Sequence, residues 1–215
     1  MKKIRLIMIC ACLILASTGV GAKSMKDLLV SMPDSLLPYL DRNLRLELPE
    51  LQEMGVKAEV KNLLEENSVM DTLTADFLQL RLSKVAILQM KKLPTGNDSL
   101  VCVIKTIAGP EKESQVMLFD QDWNSKDVQK LFDGKSLQQL AGTLVQKPDT
   151  MSEGRFAELQ SMIEPQMVNA LLMQHDNSIV VRLSLPLLSA EDKKAINVIK
   201  MQRKFNWNGK TFKES

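Results

Sequence analysis

Apolar residues between positions 73 and 123 fall into four short runs, each closed by residues that favour turns. In the first run Leu78, Leu80 and Leu82 alternate with Gln79, Arg81 and Ser83, the period of a strand with one buried and one wet face. The second, residues 85–93, sets Ala86, Leu88 and Met90 against Val85 and Ile87. Residues 94–98, Pro-Thr-Gly-Asn-Asp, are turn chemistry throughout. Residues 100–107 carry apolar side chains at both parities, which marks a strand covered on both sides and central in its sheet. Gly109-Pro110 and a charged trio follow, and Val116, Leu118 and Phe119 supply the last run. The pattern predicts an antiparallel meander against which the remaining segments pack.

The flanks are less regular. Pro33 and Pro38 break residues 23–48 into short apolar pieces, which predicts an irregular lead-in over one end of the core. Within it Ser31 or Asp34 is placed to cap a turn of helix that buries Leu36, Leu37 and Leu40. Residues 49–66 satisfy both helical and strand periods; the reading adopted is a helix over 50–55 and a strand over 56–63. Leu137, Leu140 and Leu144 predict a helix over 136–145. Residues 148–154 read as a linker, and Phe156, Leu159 and Ile163 predict a helix over 156–163. Strands over 168–174 and 179–185 then flank a turn at His175-Asp176-Asn177-Ser178. Ser189 with Asp192 opens a helix running to 199, and Asn208-Gly209 closes a last hairpin.

The fold class is therefore α+β, dominated by antiparallel sheet with a few packed helices. Residues 23–215 read as one domain, with any subdivision falling near 124–155. The two strand-rich blocks echo each other as two similar halves, although unrelated hairpins share the same alphabet of residues.

The N-terminus sets the compartment. Lys2, Lys3 and Arg5 precede an apolar run over 6–16, and Val20-Gly21-Ala22 supplies the small residues of a signal-peptidase site, with cleavage expected after Ala22. That run is about half the roughly twenty residues a membrane-spanning helix needs. The processed chain is thus expected to be periplasmic or secreted and not membrane-spanning. Lipid anchoring at Cys12, within Ile9-Cys10-Ala11-Cys12, is disfavoured because the apolar run continues past it through Leu13-Ile14-Leu15. Cleavage removes three of the 28 basic residues and none of the 26 acidic ones, leaving 25 against 26. Near-neutrality argues against a nucleic-acid partner and against electrostatic adhesion to an anionic membrane.

Candidate chemistry is sparse. Cys102 is the one cysteine left after processing, and its place between Val101 and Val103 suits a small buried hydrophobe. His175 is the only histidine, at a predicted hairpin tip, so no nucleophile–base–orienter set is nominated. One Cys and one His cannot close a zinc site. Asp120, Asp122 and Asn124 match the opening of a calcium loop and are the candidate metal ligands. The match then lapses, with Ser125 where glycine is required and Leu131 where a bidentate Glu belongs. No motif implies a cofactor.

Residues 32–40 (MPDSLLPYL), 56–62 (VKAEVKN), 73–83 (LTADFLQLRLS) and the run 98–123 resemble an exported family of Bacteroides-type bacteria, domain of unknown function 3256. The resemblance covers nearly the whole mature chain and implies an envelope protein of the Bacteroidetes; it carries over no catalytic residues. Three functions are weighed. The first is non-catalytic binding of an envelope protein or small ligand, on the wet face carrying Gln79, Arg81 and Ser83. The second is a periplasmic hydrolase whose acidic residues converge from separate strands. The third is a homodimer paired through a strand edge.

Overall fold

The computed structural model describes residues 22–163, 167–185, 188–199 and 201–215. Residues 1–21, which hold Cys12 and all but the last residue of the expected 1–22 leader, lie outside the described residues. The lead-in is more helical than its prolines suggest. Helix α1 (Met25–Ser31) begins at Ser24, whose hydroxyl accepts the Asp27 N–H while the Asp27 carboxylate accepts the Ser24 N–H. Pro33 and Pro38 hold residues 32–40 in turns. These turns bury Leu37 and Leu40, and Leu36 is half-buried. Helix α2 (Arg42–Glu53) is capped by Asp41, which accepts the N–H groups of Asn43 and Leu44. It replaces the short helix expected over 50–55. Pro49 forfeits a backbone bond inside α2, yet it is buried beside Leu48, and packing of that face outweighs propensity.

The strand expected over 56–63 shrinks to β1 (Glu59–Lys61), with Val56 and Leu63 exposed. Next comes β2 (Asn67–Leu73), a strand that the hydrophobic pattern conceals because buried Ser68 stands where an apolar residue would announce it. The meander itself forms as its pattern predicts: β3 (Phe77–Arg81), β4 (Ala86–Thr95), β5 (Asp98–Ala108) and β6 (Lys112–Phe119) pair antiparallel in chain order. With β1, β2 and the two-residue β7 (Ser125–Lys126) they make a seven-stranded sheet. The β4–β5 turn is only Gly96-Asn97, with Gly96 at φ +58, so Pro94, Thr95 and Asp98 extend the strands.

A second sheet has the order β11-β10-β9-β8, from β8 (Met167–Leu172), β9 (Ser178–Ser184), β10 (Gln202–Trp207) and β11 (Phe212–Glu214). Three helices accompany it: α3 (Leu137–Leu144), α4 (Glu153–Gln160) and α5 (Ala190–Ile196), capped by Ser136, Ser152 and Ser189. The α4 span corrects the expected 156–163, since the Ser152 cap draws Gly154 into the helix; α5 stops short of 199. The architecture is α+β with two antiparallel sheets, and the two strand-rich blocks fall in different sheets.

The seven-stranded sheet is covered on both faces. Val101, Val103, Leu88 and Met90 pack with Leu28, Leu29 and Leu48 of the lead-in. On the other side Cys102, Ile104, Val116 and Leu118 pack with Val168, Ala170, Ile179 and Phe205 of the second sheet. This is why residues 100–107 are apolar at both parities. The face expected to be wet carries exposed Arg81 with half-buried Gln79 and Ser83, and it becomes buried farther along the sheet. Gln89 pairs in register with Gln79, yet Gln89, Lys91 and Ser114 are buried beneath β8. There they satisfy the free edge of that strand: the Ala170 N–H donates to Ser114 Oγ at 3.0 Å, and the Leu172 N–H to Gln89 Oε1 at 3.0 Å. Lys91 Nζ donates to the Gln174 carbonyl at 2.8 Å. An edge strand laid on a sheet face leaves backbone groups that only side chains can pair, so polar residues are required in that part of the core.

Candidate functional site

An apolar recess of about 290 Å³ opens where the β3–β4 turn meets the end of β5. This lies at the lower limit of the roughly 300–1,000 Å³ typical of ligand pockets. Three segments wall it. The lead-in loop supplies Leu36, Leu37, Pro38, Tyr39 and Leu40; the β1–β2 connection and β2 supply Asn62, Leu64, Glu66 and Ser68. The third wall is Leu82, Ser83, Val85 and Ala86 around the β3–β4 turn, with Lys105 and Ile107 of β5.

Each wall is held by identifiable bonds. Arg45 of α2, only 1% exposed, reaches back to the lead-in loop. Its Nε donates to the Leu40 carbonyl at 2.6 Å, and its terminal nitrogens donate to the Met32 carbonyl and the Asp34 carboxylate. The Leu63 N–H donates to the Tyr39 carbonyl at 3.0 Å and joins the first wall to the second. Asn62 organises the second: its Oδ1 accepts the N–H groups of Leu64 and Glu66, and its Nδ2 donates to Ser68 Oγ and the Leu82 carbonyl. Ser83 shapes the third by accepting the N–H groups of Val85 and Ala86.

The electrostatics follow from that accounting. All four hydrogen-bonding positions of the Asn62 amide are used, and Ser68 Oγ donates to the Leu82 carbonyl at 2.8 Å. The buried polar groups beside the recess are therefore consumed by the fold, and its surface is left aliphatic. Lys105 is the one cation among the lining residues. Around the mouth Tyr39, Leu64, Val85 and Ile107 leave about half of their side chains in water, with Leu63 next to them. A cluster of exposed apolar residues about a concavity is the usual mark of a binding surface.

The residues nominated from sequence are distributed differently. Ser83 lines the recess, but Gln79 and Arg81 do not. Arg81 makes a two-pronged ion pair with Asp71, Nε at 2.9 Å and a terminal nitrogen at 2.7 Å, which raises the guanidinium's proton affinity. Gln79 accepts from Gln89 Nε2 at 2.9 Å. Asp120, Asp122 and Asn124 form a closed turn: Asp120 Oδ1 accepts the N–H groups of Asp122 and Asn124, and Oδ2 accepts Lys126 Nζ at 2.9 Å. The Lys126 hydrogen bond, with those from Asn124 and the turn, holds the Asp120 carboxyl well below its ordinary range. Asp122 points away to Lys23 Nζ at 2.7 Å. Both Asp120 oxygens are thus taken by local donors, and the Asp122 carboxylate pairs with Lys23. Cys102 is fully buried, and burial pushes its thiol up to about 12, whereas His175 is exposed on the β8–β9 turn.

The paired-carboxylate reading requires two acids in one cleft. The apolar recess carries Glu66, a cleft beside α5 carries Glu111 ion-paired to Lys193, and a hollow at 146–149 carries Asp149. None of these three brings two carboxylates together. The outermost strands are short, three residues in β1 and β11 and two in β7, and β7 covers only Leu118 and Phe119 of β6. Among the described residues no helix is long and apolar enough to cross a membrane.

One pH dependence follows from the ion pair beneath β8. Partial burial raises the Asp76 carboxyl, but the hydrogen bond and charge of Lys91, with Thr74, outweigh it and hold the group below its ordinary value. Asp27, Asp133 and Asp176 are also lowered, chiefly by bonds to Ser24, Lys213 and Lys204 respectively. A depressed folded-state value contributes stability above the unfolded value, about 3.9 for Asp, which is lost as pH falls through the folded one. Urea midpoints are expected to be flat from neutrality to about pH 5 and to fall below about pH 4. Asp76→Asn should flatten that fall; an unchanged slope would remove Asp76 from the account.

Comparison with known proteins places the chain. The family model described as Protein of unknown function (DUF3256) matches residues 17–212. The chain belongs to that family. A solved structure titled "Structure of a domain of an uncharacterized protein from Porphyromonas gingivalis W83" is similar to this DUF3256 protein at a TM-score of 0.71 and 16% identity. The match covers 90% of this chain and 100% of that domain, and at this identity it speaks for the fold alone. No curated protein matches the chain. The recess was missed from sequence because its markers are scattered: LPYL, NLLEEN, LSKVA and TIAG each put apolar residues in or beside a turn.

Proposed function

We propose that this DUF3256 protein is an exported, non-catalytic binding protein of the bacterial envelope, and that the recess between residues 36–40, the β1–β2 connection and the β3–β4 turn receives its apolar ligand. One observation carries this: Tyr39, Leu64, Val85 and Ile107, exposed and far apart in sequence, surround one concavity. Exposed apolar surface gathered in this way costs solubility and is retained where something covers it. The leader-like residues 1–22 support an envelope location, periplasmic or secreted.

Titration with Nile red, a neutral dye that fluoresces in apolar surroundings, tests the reading. The mature protein should bind it saturably at one site, and Val85→Glu or Ile107→Glu should abolish the signal. Both residues are about half exposed, so the fold should tolerate the change to within about 0.5 kcal/mol. Saturable binding that survives both substitutions would overturn the assignment of the recess, and absence of binding would overturn the function.

A further inference from the structure

We propose that the ligand of the recess is an aliphatic monocarboxylate, an acyl chain with a single anionic head, whose head is held by Lys105; this rests on the reading above and names its ligand class. Lys105 is half-buried in an aliphatic wall and, among the described residues, has no carboxylate within ion-pair distance. Its ammonium spends one of three protons on the Leu36 carbonyl at 3.2 Å. Among the described residues the other two have no protein acceptor. Ser83 Oγ receives two backbone N–H groups, and among the described residues its own proton has no acceptor.

The spare polar capacity inside the recess is thus donor capacity, because Asn62 and Ser68 are already satisfied. The one lining acid, Glu66, is exposed, where an ion pair contributes little. A ligand with an acceptor head gains charge-assisted bonds to a partly desolvated ammonium. A ligand with a cationic head places its charge beside Lys105 and loses. The body of the ligand is set by Leu36, Leu37, Leu40, Leu82 and Val85, which offer aliphatic contact. At about 290 Å³ the space equals roughly ten water molecules of about 30 Å³ each, which suits a medium-length chain.

The test displaces bound Nile red with decanoate, decanol and decylammonium of equal chain length. Decanoate should displace the dye at a concentration at least about tenfold lower than decanol, the scale of one charge-assisted hydrogen bond. Decylammonium should be the weakest. Lys105→Met should remove the preference for decanoate over decanol, and Lys105→Arg should keep it. If the dye binds and all three chains displace it equally, the carboxylate inference fails while the apolar site stands. If the dye does not bind at all, the apolar site itself fails. Should Lys105→Met not fold, the order of the three chains on the unaltered protein still decides.

Discussion

Arg45→Met lowers the unfolding free energy by about 3 kcal/mol, the scale of stranding the partners of a buried charge, and weakens Nile red binding in the recess. The guanidinium is almost wholly buried and gathers the carbonyls of Met32 and Leu40 with the Asp34 carboxylate. Methionine keeps much of the volume but offers no donor, so the two carbonyls lose their partner and the lead-in loop loses its tie to α2. That loop is one wall of the recess, which links the stability loss to binding. Asp34→Asn separates the contributions. The Asp34 side chain is 88% exposed, so its ion pair adds little, and the substitution should cost less than about 0.5 kcal/mol. Denaturant titration of the two variants checks this. An Arg45→Met protein within 1 kcal/mol of the parent, a threshold set by ordinary surface substitutions, would show that the loop is held by its prolines instead.

Lys91→Ala is the second large effect, with an expected cost of about 3–5 kcal/mol. Lys91 lies under β8 with its ammonium at 2.8 Å from both Asp76 Oδ2 and the Gln174 carbonyl, and 5.9 Å from the centre of the Phe77 ring. Alanine removes the aliphatic stem and leaves a void between the sheets as well as a carbonyl without its donor. Lys91→Met fills most of that void, and Asp76, about half exposed, can recover water. The methionine variant should therefore lose clearly less than the alanine variant. Equal losses would mean that the charge, not the packing, holds the β8 end in place. Thermal or denaturant unfolding of both variants at neutral pH distinguishes the two.

Much of the seven-stranded sheet was legible because strand periodicity is local. Leu78 and Leu80, or Leu88 and Met90, alternate within a few residues, and Gly96-Asn97 announces its own turn. Helix α3 was legible for the same reason, through Leu137, Leu140 and Leu144 behind the Ser136 cap. The β2 strand and most of α2 were not. Ser68 hides β2 because it is buried as a hydrogen-bond partner of Asn62 and Leu82, and Pro49 hides α2 because propensity is a weak prior against packing. Of the three surface residues nominated from sequence, Ser83 alone lines the recess. Gln79 and Arg81 are polar because they meet Gln89 and Asp71, partners that a one-dimensional pattern cannot separate from water.

By itself the sequence determined the α+β class, the order of the meander strands, the doubly covered β5 and the DUF3256 family, all of which depend on neighbours within a strand or a turn. Only the tertiary structure decided that β8 lies edge-on across Gln89 and Ser114, and that Tyr39, Leu64, Val85, Lys105 and Ile107 meet around one recess. Those outcomes rest on contacts between residues separated by tens of positions. A buried amide looks like an exposed one, and an exposed leucine like a core one, until the chain has closed on itself.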